Sequence, residues 1–149
     1  MSSDTAVPDR RSLIDPERCS IAGTIAALGD TWSILVLREL FFGVRRFNEI
    51  QADLGISRSV LTARLNRLVE LGVIRTDTYQ EPGERSRPQY RLTRKGVRLL
   101  PAIVALMEWG DEFVNDGDGP VKIKRSGKTC KVTAPYVGVI SFPCDGDKE

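Results

Sequence analysis

Histidine is absent from these 149 residues, and the three cysteines, Cys19, Cys130 and Cys144, form no CxxC pair. The common Cys/His zinc sites therefore cannot be completed within one chain, and neither a metal nor a cofactor is expected. The same lack removes every Ser-His or Cys-His nucleophile pair, and no phosphate-cradling glycine motif replaces them. An enzyme is hard to build from such a set. Apolar runs of about 18 residues are also missing, and the first fifteen residues lack the apolar middle of a signal peptide. A cytoplasmic protein with no membrane partner is the expectation. What remains is ordinary in proportion, 41% apolar and 28% charged, which suits one compact domain plus an extension. The net charge of +2 is unevenly spread: residues 57 to 95 hold nine Arg or Lys against four acids, leaving the rest at −3.

That basic excess follows a stretch, Arg46 to Leu71, whose pattern predicts two short helices joined by a turn. Phe47, Ile50 and Leu54 give the first helix an inward stripe, and Gly55 turns the chain. Ser57 can cap the free N–H groups of the second helix. Residues 57 to 71, advanced by about 100° each, place Val60, Leu61, Leu65, Leu68 and Leu71 on one side. Arg58, Ser59, Thr62, Ala63, Asn66 and Arg67 fall on or around the other. A merely solvated face usually mixes Glu with Lys; this one offers short polar groups and forked guanidinium groups suited to base edges and phosphates. The predicted DNA contacts are Ser57, Arg58, Ser59, Thr62, Asn66 and Arg67. Arg64 falls inside the apolar stripe, where a lone charge is costly, so an ion pair with Glu39 or Glu49 is expected.

The surrounding chain reads as support. Residues 1–18 form an aperiodic arm, followed by a helix with Ile21, Ile25 and Leu28 on one stripe. After Gly29-Asp30 comes a core helix, Trp32 to Phe42, ended by Gly43. Beyond Gly72 the period changes to that of strands, Val73 to Tyr79 and Gln89 to Leu92, enclosing Gln80 to Pro88. This predicts a hairpin wing whose tip carries Arg85 and Arg87, within reach of phosphates or the minor groove. Thr93 caps a long helix over about 94–114, which Pro101 must bend or divide. Its Leu106, Met107, Trp109 and Phe113 exceed what one small domain can cover. The domain is expected to span 19–116. Residues 117–149 form an extension of small β character, with strand pattern from Val121 and again over Tyr136 to Phe142, that DNA binding should not require. Its acidic end should fray.

From Cys19 to about Asp111 the chain resembles the HxlR-type winged helix-turn-helix regulators of bacteria and archaea, relatives of the MarR regulators. The resemblance rests on Cys19, Gly29-Asp30-Thr31-Trp32, Leu37-Arg38-Glu39-Leu40, Gly43 and Arg45 to Ile50. It continues through Gly55-Ile56-Ser57, Leu61 to Leu65, Leu71 to Ile74, Pro88-Gln89-Tyr90, Leu92 to Gly96, Leu100-Pro101 and Trp109-Gly110. It implies a mainly α (α+β) fold, a winged helix-turn-helix with a β-hairpin wing and a C-terminal dimerisation helix. A homodimer is also implied, its first and last helices at the interface and the Ser57 helix in the major groove. Some relatives respond to oxidants or electrophiles through the leading cysteine, which makes Cys19 the sensing candidate. The alternative for Cys19 is plain packing. The expected activity is that of a repressor acting on a palindromic double-stranded operator, with a small-molecule effector left open. The competing reading is a winged helix that docks only proteins; a thiol enzyme built on Cys19 comes third, for want of a base. Trp32 and Trp109 suit core or interface better than an aromatic ligand pocket.

Overall fold

The computed structural model describes residues 16–134 and 138–143. The chain divides after Asp30 into two compact units. In the first, a 3-10 turn (Pro16–Arg18) leads into α1 (Ser20–Leu28), with Cys19 at its N-cap. Ile21 and Ile25, one turn apart, are exposed at 72% and 62%. The arm expected over 1–18 lies, up to residue 15, outside the described residues.

The second unit begins with α2 (Thr31–Phe41), followed by α3 (Phe47–Leu54) and α4 (Arg58–Glu70). Next come β1 (Ile74–Tyr79) and β2 (Arg87–Leu92), an antiparallel pair with Ile74 opposite Leu92 and Tyr79 opposite Arg87. A single turn of helix, α5 (Arg94–Val97), precedes α6 (Leu100–Phe113). The fold is mainly α with a β wing, as expected. The predicted helix over 94–114 is divided: residues 98 and 99 form a turn and Pro101 falls in the first turn of α6. Pro is tolerated there because that turn has no intrahelical acceptor for its missing N–H.

Helix ends explain the sharp connections. At the end of α2, Gly43 takes φ 87° and its N–H donates to the Leu40 carbonyl, while that of Val44 reaches the Glu39 carbonyl. The end of α4 repeats this pairing: Gly72 (φ 69°) donates to Val69 and Val73 to Leu68. Both are Schellman closures, and in the second the buried Leu68 and Val73 supply the apolar contact that usually accompanies one. Val36, Leu37, Ile50, Ile56, Leu61, Leu65, Leu68 and Ile74 are buried around α2. Glu39 is buried with them, held by Arg38, whose Nε lies 3.1 Å from Oε1. Glu39 thus takes its chain neighbour as ion partner, one turn before Gly43.

The last three strands, β3 (Lys122–Ser126), β4 (Thr129–Ala134) and β5 (Gly138–Pro143), form an antiparallel sheet in the order β3-β4-β5. The sequence pattern suggested its outer strands; the middle one, Thr129–Ala134, has a single large aliphatic residue, Val132, and gave no signal. Part of the segment expected as a strand from Tyr136, and the whole acidic end, lie outside the described residues. This sheet is not detached from the rest. Val121 and Val132 join Phe41, Phe42, Leu100 and Val104 in one buried cluster, with Leu92, Met107 and Ile123 against it. The apolar core therefore continues past the boundary expected at 116.

Candidate nucleic-acid interface

The geometry of α4 follows from its first residue. Ser57 has extended backbone angles (φ −67°, ψ 149°), and its Oγ accepts the Val60 N–H at 3.3 Å, closing the first turn as predicted. That hydroxyl is committed to the cap. Leu61, Leu65 and Leu68 are buried, which turns Arg58, Ser59, Thr62, Ala63, Asn66 and Arg67 outward, all exposed. Thr62 donates its Oγ1–H to the Arg58 carbonyl at 2.8 Å, which leaves a hydroxyl lone pair and the methyl group for an incoming partner. Arg64 is half-buried at the edge of the stripe.

Arg58 is not free to sweep. Its Cζ sits 4.9 Å from the Phe47 ring centroid, so the first residue of α3 supports the first residue of α4 from below. A second stacked arginine stands beside it. Arg46 lies 4.4 Å over the Tyr79 ring, and its Nη2 is 2.6 Å from Glu81 Oε1 in the wing loop. The hydrogen bond to Glu81 raises the Arg46 guanidinium above the ordinary arginine value. Both partners are substantially exposed, at 41% and 45%, so this ion pair positions the side chain more than it stabilises the fold.

The wing is fastened at both ends. At its base, Thr93 Oγ1 contacts the Gly72 carbonyl at 2.6 Å and accepts the Gly96 N–H at 3.2 Å, while the Thr93 N–H donates to Val73 at 3.0 Å. Lys95 Nζ reaches the Leu71 carbonyl at 2.5 Å. Farther out, Arg46 makes a β-bridge with Gln89, and the Tyr90 N–H donates to the Arg45 carbonyl at 2.9 Å. Partial burial of Tyr90 raises its phenol above the usual value. Between these anchors Asp77 is flanked by Arg91 at 2.9 Å and Arg75 at 3.4 Å. Arg85 is exposed in the loop at the wing tip. Arg87 is placed differently from the expectation: it opens β2, opposite Tyr79, and pairs loosely with Glu84 at 3.7 Å. The β pairing extends one residue beyond the Pro88 that the sequence pattern assigned to the loop, because β2 is an edge strand and Pro can sit there.

Helix and wing enclose an open cleft of about 610 Å³, lined among others by Arg46, Phe47, Arg58, Thr62, Tyr79 and Arg87. Three of the predicted residues, Arg58, Thr62 and Arg87, meet in it. Ser59, Asn66 and Arg67 continue along the exposed face of α4, and Arg85 stands apart at the tip. Arg46 was not among the predicted contacts. The available signal was its place in Arg45-Arg46-Phe47, immediately ahead of a helix, where a cation has no helical partner to satisfy. Cys19, in the other unit, is a half-buried free thiol. Among the described residues, no group of metal-ligating side chains is assembled, and no single helix is long and apolar enough to cross a membrane.

A family model described as HxlR-like helix-turn-helix matches residues 27–118. The chain is 45% identical over 111 residues to an uncharacterized HTH-type transcriptional regulator of Mycobacterium tuberculosis, covering 74% of this chain and 68% of that one. A relative of the same description from the archaeon Methanothermobacter thermautotrophicus is 36% identical over 100 residues, covering 66% and 75%. Among solved structures, the candidate transcription factor PA1607 superimposes with a TM-score of 0.61 at 36% identity, over 74% of this chain and 77% of that one. The reduced form of the transcriptional regulator YodB of Bacillus subtilis gives 0.53 at 28% identity, over 67% and 98%.

Proposed function

The chain belongs to the HxlR-like helix-turn-helix family of transcriptional regulators, and on that premise we propose that it represses its targets by binding a palindromic operator as a homodimer. DNA-binding regulation, rather than catalysis, is the activity of the family. In this reading α4 enters the major groove, where Arg58, Ser59, Thr62, Asn66 and Arg67 face base edges and nearby phosphates. Ser57 sets the start of the helix. Arg85 and Arg87 hold the backbone or minor groove beside it, joined by Arg46 from the cleft wall. The observation that carries the proposal is the convergence of Arg46, Arg58 and Arg87 with Thr62 in one exposed cleft between helix and wing.

Pairing is supported by an uncovered apolar stripe on α6. Leu106, Trp109 and Phe113 are exposed at 60%, 61% and 62%, and the two rings lie 5.5 Å apart. Two copies would bring two α4 helices to half-sites about 34–36 Å apart. For sensing we take Cys19: the YodB structure is that of its reduced form, and Cys19 is a half-buried thiol at a helix N-cap. Oxidant-driven joining of two Cys19 thiols would alter the spacing of the heads. The site of action is the cytoplasm, and any small effector beyond the oxidant is left without a residue.

In vitro selection on random duplexes tests the proposal. A palindromic consensus recovered by the native chain and lost or altered in Arg58→Ala supports it. Failure of the native chain to retain any duplex would return the protein-docking alternative to first place.

A further inference from the structure

The β3-β4-β5 sheet turns one face to the core and the other to solvent. Strand register fixes which residues share the outer face: Lys122 pairs with Thr133 and that with Val139, Lys124 with Lys131 and that with Ser141, and Ser126 with Thr129. Directly paired residues point the same way, and all eight are exposed. Ile123 and Val132, on the other face, pack on Phe41, Phe42, Leu100 and Val104. Every polar group on the outer face is thus an ammonium or a hydroxyl. The sequence is as one-sided: from Gly119 to Cys144 there is no Asp or Glu, against Lys122, Lys124, Arg125, Lys128 and Lys131.

Lysines often guard the edges of sheets against further pairing, but that role fits only part of the pattern. Lys131 lies on the central strand, directly opposite Lys124. A like-charge pair in that position costs stability, and Glu would guard an edge as well as Lys. A uniform sign with interspersed hydroxyls instead matches the phosphate and sugar backbone of a duplex, whose usual contacts include Lys, Ser and Thr. A membrane surface would call for aromatic or leucine anchors beside the lysines, and this face has only Val139.

We propose that the outer face of the β3-β4-β5 sheet is a second duplex-DNA-binding surface, which holds phosphates outside the half-site and reads no sequence. The proposal rests on the DNA-binding reading of α4 and adds a separate contact to it. Its test compares the full chain with a K122Q/K124Q/K131Q variant, whose melting temperature should be no lower than the native one because all three side chains are exposed and the Lys124–Lys131 repulsion is removed. The dependence of log K on log salt for the operator should become shallower by roughly 0.9 for each phosphate no longer neutralised, about 2.7 if all three lysines engage one. Native affinity should rise as the duplex is lengthened beyond the operator, and the variant should lose that gain while selecting the same consensus. Arginine at the three positions should restore both. Unchanged salt slope and length dependence in a variant that still binds the operator would overturn the proposal. So would native binding to phosphatidylserine vesicles that the substitutions abolish while leaving the DNA slope intact. Failure of the native chain to bind any duplex would remove the regulator reading first, and this one with it.

Discussion

Ser57, Arg58 and Phe47 show how few atoms decide the attitude of α4. Loss of the Ser57 hydroxyl in Ser57→Ala should cost about 1 kcal/mol of unfolding free energy by leaving a first-turn N–H without its cap; urea denaturation measures it. Phe47→Leu keeps the apolar bulk and removes the ring face under Arg58. Because a stacked cation gains about 0.5–1 kcal/mol at an exposed site, operator affinity should fall two- to fivefold, with most of the loss at the base position that Arg58 reads. An equal loss at all positions would make Phe47 a general support of the fold. Arg85→Ala should act differently, weakening every sequence alike and lowering the salt slope by about 1. For Cys19, the informative comparison is operator affinity with and without a quinone in the native chain and in Cys19→Ser; a response confined to the native chain is expected. At this scale the sequence was a good guide wherever one helix decides the answer. The cap and the outward face of α4 depend only on 3.6-residue periodicity and on a hydroxyl before the first turn. Arg46 escaped because its neighbours, Tyr79 and Glu81, are more than thirty residues away in the chain.

Among the elements, the joint between α4, the wing and α5 is the most constrained. Gly96 shows it: a Cβ there would lie 2.1 Å from the Val73 carbonyl oxygen, a backbone atom with little freedom to retreat. Gly96→Ala should therefore destabilise the protein by about 2 kcal/mol or more, and thermal melting should show it. Thr93 and Gly72 were legible as a cap and a stop; the threonine's second duty toward the Gly72 carbonyl was not, since it joins positions 21 residues apart. The division of the last helix was legible from Pro101 alone. Arg87 was misassigned to the tip because Pro88 looks like a loop residue, whereas an edge strand accepts proline without losing an internal hydrogen bond.

At the scale of the whole molecule, the sheet beyond 116 covers one side of the winged domain. Truncation after Asp116 would strip Val121 and Val132 from Phe41, Phe42, Leu100 and Val104, so the shortened chain should melt lower and aggregate. Val132→Ala, which removes a fully buried side chain, should cost about 2 kcal/mol. Alternation foretold strands in this segment, but its attachment to the core depended on non-local packing that no periodicity encodes. The uncovered stripe on α6 predicts a dimer by sedimentation without DNA, and Trp109→Glu should shift it toward monomer. Since both half-sites must be engaged together, the same substitution should cost operator affinity far more than it costs binding to a single half-site.

The double fastening of the wing, at Thr93 below and at Arg45 and Arg46 above, leaves its arms no hinge of their own. Only the loop from Gln80 to Ser86 can follow the contour of a duplex. A signal that silences such a head has little to bend inside it. Like the jaws of a caliper, two such heads are each stiff, and what can be adjusted is the gap between them. Induction would then change a distance between two copies while each reading surface kept its shape, and a single half-site would bind the induced and uninduced proteins equally well.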